Sequence, residues 1–163
     1  MKKKVKRILG LIVTLCVITG TCLTTYASEN PPGLGKVVDG SVLTNENSSE
    51  IEIYNRTRGN ILNRGIAKIT NNGNGSVNSY GAVLPAVTCD TLKLAMNLQR
   101  LEGNSWVNVK TYSATEYNSS LLTRSYNCNV KGGYYYRVKA ACIATDGGTT
   151  ETQIPITNGI WID

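Results

Sequence analysis

From Thr91 to Arg100 the chain alternates cleanly: Leu92, Leu94, Met96 and Leu98 share one parity, and Lys93, Ala95, Asn97 and Gln99 the other. A period of two is the mark of a strand with one buried face. Similar short runs follow one another from Ile61 onward. They are Ile61–Thr70, Ser76–Leu84, Thr91–Arg100, Trp106–Tyr112, Ser120–Cys128, Tyr134–Ala144 and Thr149–Ile156. Turn residues separate them: Asn71-Asn72-Gly73-Asn74-Gly75, Pro85, Glu102-Gly103-Asn104 and Asp146-Gly147-Gly148. Such punctuation between period-2 runs predicts hairpins. Helical periodicity of useful length does not occur. The pattern therefore predicts an all-β fold, a seven-stranded antiparallel β-sandwich over residues 60–163.

The run Tyr134–Cys142 separates three consecutive tyrosines. Tyr134, Tyr136, Val138, Ala140 and Cys142 fall on one face, predicted to be core. Tyr135, Arg137, Lys139 and Ala141 fall on the other, predicted to meet solvent. Tyr134 follows two glycines, where its hydroxyl could bond back to the preceding turn. Residues 28–59 contain Pro31, Pro32, Gly33, Gly35, Gly40 and many Asn, Ser and Glu, with a short alternating patch at Ile51 and Ile53. That composition predicts a flexible N-terminal arm with at most one short strand.

The first 27 residues have a different pattern. Lys2, Lys3, Lys4, Lys6 and Arg7 precede an uncharged, mostly apolar run from Ile8 to Gly20, and small residues stand at Thr25 and Ala27. This is the layout of a secretory signal peptide cut after Ala27. The run is shorter than the roughly 20 residues that span a bilayer, so no membrane insertion is expected once it is removed. Its removal also changes the charge. The whole chain carries 17 Lys+Arg against 11 Asp+Glu, but five of those bases lie before Ile8, leaving twelve against eleven. Without a basic cluster after Arg7, nucleic acid is not an expected partner. The expected location is extracellular, with loose association to the cell wall.

Candidate chemistry is sparse. The chain has no histidine, which removes Ser-His-Asp and Cys-His pairs and most zinc geometries. No metal or other cofactor is expected. Asp90, Glu102, Glu116, Asp146 and Glu151 remain as acid–base candidates for glycan hydrolysis, which needs two carboxylates across a cleft. The reading preferred is a non-catalytic binding module for a protein or a cell-wall or surface glycan. The contact candidates are the exposed-face Tyr135 and the loop aromatics Tyr80 and Tyr117. The alternatives are a small secreted effector, bacteriocin- or toxin-like, and the carboxylate enzyme.

Two resemblances sharpen this. Tyr136-Arg137-Val138-Lys139-Ala140, followed by Asp146-Gly147-Gly148, resembles strand F and the F–G hairpin of fibronectin type III domains. That implies a fibronectin III/immunoglobulin-like sandwich, although Trp106 opens the fourth run where that family keeps a Trp on the second. In such a topology the third and sixth strands are neighbours, which pairs Cys89 with Cys142 and leaves Cys128 free; three reduced thiols is the alternative. The segments DGSVLT (39–44), TRGNILNRG (57–65), TCDTLKLAMNLQR (88–100), and GYYYRVKA (133–140) with GGTTET (147–152) resemble a family of small secreted Gram-positive, mainly clostridial, proteins known as a domain of unknown function. The resemblance implies secretion and a β-rich domain, and brings no catalytic residues.

Overall fold

A computed structural model describes residues 30–55 and 61–163. The expected signal peptide, with Cys16 and Cys22, lies outside the described residues. Eleven strands form: β1 (Val37–Val38), β2 (Ser41–Thr44), β3 (Ser48–Tyr54), β4 (Leu62–Gly73), β5 (Ser76–Pro85), β6 (Cys89–Glu102), β7 (Ser105–Ser119), β8 (Leu122–Asn129), β9 (Tyr134–Asp146), β10 (Thr149–Gln153) and β11 (Gly159–Ile162). They make two facing sheets. One has seven strands in the order β1-β2-β11-β9-β6-β7, with β10 also on β9; the other has four, β3-β4-β5-β8. All pairings are antiparallel except β2 with β11, so the larger sheet is mixed.

Each of the seven predicted runs is a strand. Leu92, Leu94, Met96 and Leu98 of β6 are buried, and they pack with Tyr136, Val138, Ala140 and Cys142 of β9. The smaller sheet supplies Ala67, Ile69, Val77, Val83 and Leu122 to the same core. Truncating any of these leucines to Ala would cost about 2–5 kcal/mol through lost transfer energy and the cavity left behind. Gly81 of β5 lets the sheets approach, because a Cβ there would sit 2.6 Å from Met96 Sδ.

The turns follow their sequences. Asn74 and Gly75 have φ of 52° and 67° between the paired residues Gly73 and Ser76. Positive φ at both central positions is the type I′ geometry that Asn-Gly favours. Asp39-Gly40, with φ of 47° and 76°, makes the same turn between β1 and β2.

That hairpin corrects the expected arm. The segment read as mobile, residues 28–59, contributes β1 and β2 to the larger sheet and β3 to the smaller. The larger sheet curls until β1 reaches β7: Trp106 Nε1 donates to the Val38 carbonyl at 3.1 Å. Val38, Leu43 and Tyr135, with Leu101, Trp106 and Trp161 half-buried around them, form a second small core. The C-terminal Trp161 belongs to β11, which lies between β2 and β9.

Candidate functional site

The outward positions of the smaller sheet form rows of polar side chains. Register places Glu50, Lys68, Tyr80 and Ser125 in one row across β3, β4, β5 and β8. Ser48, Thr70, Asn78 and Asn127 form the next. Rows two residues apart stand about 7 Å from each other along a strand. The inward neighbours Ala67, Ile69, Val77 and Val83 are buried in the core, and this burial turns the polar set to solvent.

Several of these side chains hold one another in place. Lys68 Nζ lies 2.8 Å from Glu50 Oε2. Asn78 Nδ2 donates to Ser125 Oγ at 2.8 Å and to Asn127 Oδ1 at 2.7 Å. Asn72 Nδ2 donates to the same Asn127 oxygen at 3.1 Å. Glu50, Lys68, Thr70, Asn78 and Tyr80 line an open depression of about 370 Å³. It offers amide and hydroxyl groups, one aromatic ring and one ion pair, all within reach of a single bound molecule.

Beside it, Glu52 is bonded by Tyr54 and Arg64. The Tyr54 hydroxyl first, and then the Arg64 cation, hold its carboxyl below the ordinary range against the opposing effect of desolvation. Four of the five carboxylates singled out from sequence are engaged elsewhere, and the fifth, Asp146, ends β9 away from this face. Glu102 pairs with Arg100 and Glu116 with Arg124. Asp90 Oδ2 accepts from the Gly147 amide at 3.0 Å, and Glu151 Oε2 from the Leu62 amide at 2.8 Å.

Of the three contact tyrosines, the structure brings none together. Tyr80 lies in the depression just described. Tyr117, 70 % exposed, is on β7 at the far edge of the other sheet. Tyr135 is 3 % exposed and Arg137 only 1 %, so their expectation of solvent is corrected. The reason is the curled β1–β2 hairpin, which covers that face of β9. Tyr135 packs edge-on against Trp161, with centroids 5.0 Å apart. Arg137 is clamped: its Nε donates to Gln99 Oε1 at 2.8 Å, Nη1 to Ser41 Oγ and the Asp39 carbonyl, and Nη2 to Asp39 Oδ2 at 2.6 Å. Its guanidinium also stacks 4.4 Å from the Trp106 ring. The bond back to the glycine turn is made by Tyr136, whose hydroxyl donates to the Lys131 carbonyl at 2.7 Å, and not by Tyr134.

The Cys89–Cys142 pairing is also corrected. β6 and β9 are neighbours as expected, but Cys142 stands opposite Leu94. Cys89 is therefore five positions away, about 17 Å along the strand, well beyond the ~7 Å Cα limit of a disulfide. All three cysteines among the described residues, Cys89, Cys128 and Cys142, are free. Burial pushes the Cys142 thiol up to about 12. Burial and the nearby Asp146, Asp90 and Glu151 raise Cys89.

Sequence reasoning reached Tyr80 but missed Glu50, Lys68, Thr70 and Asn78. The signal for three of them was present. Lys68 with Thr70 and Asn78 with Tyr80 are the polar parity of two runs flanking an Asn-Gly turn. A scan of the chain against protein-family models finds no match, and a search of curated proteins finds none.

Proposed function

We propose that the chain is a secreted, non-catalytic binding module that takes a glycan on the outer face of the β3–β4–β5–β8 sheet. The observation that carries this is the open depression around Tyr80, lined by Glu50, Lys68, Thr70 and Asn78. Sugars present hydroxyls in pairs and apolar C–H faces. Amides, hydroxyls and an ion pair match the former, and a tyrosine ring the latter. Glu50, Lys68 and Asn78 are already held by partners, so less ordering of those three remains to oppose binding.

Carboxylate chemistry gains no support from this face. A glycosidase needs one carboxyl with a raised pKa as its general acid. Glu50 is ion-paired to Lys68, and Glu52 is held down rather than up. The N-terminal pattern of five bases, an apolar run and small residues supports export. The similarity of the quoted segments to the secreted clostridial family supports it too. The pairings β4–β5–β8 and β7–β6–β9–β10 follow the A–B–E and C′–C–F–G order of fibronectin type III domains. A related sandwich with β1–β3 and β11 added is the fold we propose.

The test is binding of the purified chain to a glycan array and to isolated cell wall. Tyr80→Ala and Lys68→Ala should each weaken binding by about tenfold or more, the loss typical of a central contact residue. Retention of the Tyr80→Ala protein at wild-type strength would remove this face from the site. Release of cleaved sugar would replace the binding module with an enzyme.

A further inference from the structure

β7 is a 15-residue strand at the edge of the larger sheet, and among the described residues its only strand partner is β6. An edge of this length carries a row of unpaired amides and carbonyls and is a template for another strand. Proteins commonly blunt such edges with proline, bulges or clustered lysines. β7 contains no proline and no glycine, and one lysine. Its single bulge lies where the register with β6 shifts between Leu98 and Gln99, so the stretch from Lys110 to Tyr117 is regular. Thr111, Ser113, Thr115 and Tyr117 of that stretch are exposed.

The charges of this strand are self-complementary. Lys110 and Glu116 are its only ionisable acid and base, and each stands three residues from Ser113. When a strand pairs antiparallel with its own copy about a two-fold axis through Ser113, Lys110 falls opposite Glu116 twice. Thr111 falls opposite Thr115, and Tyr112 opposite Ala114. All these partners share parity, as a continuous sheet requires. Registers centred on Lys110 or Glu116 set like charges face to face, and the remaining same-parity registers leave both charges unmatched. Glu116 gives Oε1 to Arg124, and its Oε2 remains for the lysine of the second copy, since a carboxylate accepts through both oxygens. Lys110 is exposed and bonded to nothing among the described residues.

We infer that β7 is a self-association edge: two copies of this chain join β7 to β7 antiparallel about Ser113, making one sheet continuous through both molecules. The contact is isologous and closed, because pairing consumes the one edge it uses. Opposed ion pairs and Thr–Thr pairs across such strands favour this register over the others.

The test is sedimentation velocity on the whole purified chain across a concentration series, with hydrogen exchange on the same samples. A monomer–dimer equilibrium is expected, with amides of residues 110–116 gaining protection as dimer forms. Lys110→Glu should weaken the dimer by about tenfold or more, since two attractive pairs become repulsive. Mixing Lys110→Glu with Glu116→Lys should restore association, because every cross-strand pair is then opposite in charge. Ser113→Lys, at an exposed position, sets two lysines on the axis and should dissociate the dimer independently. Thermal melts establish that each variant is folded. A monomer at every concentration overturns the inference, as does a dimer indifferent to Lys110→Glu and Ser113→Lys.

Discussion

Tyr135 illustrates how a residue's role changes when its cover is known. Its ring is packed under Val38, Leu43 and Trp161, yet its hydroxyl is buried without a hydrogen-bond partner among the described residues. An unpaired buried hydroxyl costs about 1–3 kcal/mol. Tyr135→Phe should therefore be neutral or stabilising by about 1 kcal/mol, whereas Tyr135→Ala should destabilise by about 3–5 kcal/mol. Urea denaturation of the two variants separates these outcomes, and a destabilised Phe variant would show that the hydroxyl has a partner. The thiols give a second prediction at this scale. Cys142 is buried, its thiol donates to the Ala82 carbonyl at 3.3 Å, and burial holds its pKa near 12. The thiolate is the reactive form, so native-state alkylation at pH 8 should leave Cys142 unmodified and label the half-buried Cys128 first. Rapid labelling of Cys142 in the folded protein would contradict its placement. The alternation on β9 was readable for Val138, Ala140 and Cys142. It was misleading for Tyr135 and Arg137, because period two assigns a side chain to a face and says nothing of what lies over that face.

At the scale of elements, the β1–β2 hairpin is fastened by one ion pair and its surrounding bonds. Arg137 is buried while the Asp39 side chain is 71 % exposed. The Arg137 hydrogen bond, and then its charge, lower the Asp39 pKa below 3.8. A carboxyl with a depressed folded pKa contributes stability that is complete above its unfolded value and lost as pH falls through the folded one. The hairpin should thus loosen below about pH 4, seen as a change in tryptophan fluorescence, since Trp106 and Trp161 both border it. Asp39→Asn should remove most of that acid dependence; an unchanged profile would assign it to other carboxylates. The Asp-Gly turn of this hairpin was visible in DGSVLT, as was the short patch at Ile51 and Ile53. Strands of two and four residues flanked by Pro and Gly carry too little period to announce themselves. The polar rows around Tyr80 depend on a further detail. A bulge between Asn71 and Gly73 shifts the β4–β5 register, so counting back from Asn74-Gly75 would have set Lys68 opposite Gly81 instead of Tyr80.

For the whole molecule, residues 37–54 belong to the fold. Deleting the chain through Thr44 removes Val38 and Leu43 from the second core and strips Arg137 of both its cover and its Asp39 and Ser41 partners. Two buried aliphatic side chains contribute about 1.5–3 kcal/mol each, so the truncated chain should lose more than about 3 kcal/mol in chemical denaturation. Equal stability would mean that β1 and β2 are dispensable. What the sequence determined by itself was the all-β class, the seven central strands and their inner faces. Those follow from local alternation and turn chemistry, which act within a few residues. Tertiary structure alone decided which outer faces stay open. Covering Tyr135 and Arg137, separating Cys89 from Cys142 by five positions and gathering Glu50, Lys68, Thr70, Asn78 and Tyr80 all depend on long-range register and sheet curl. Those are set by packing between segments distant in the chain, on which a period read along one strand carries no information.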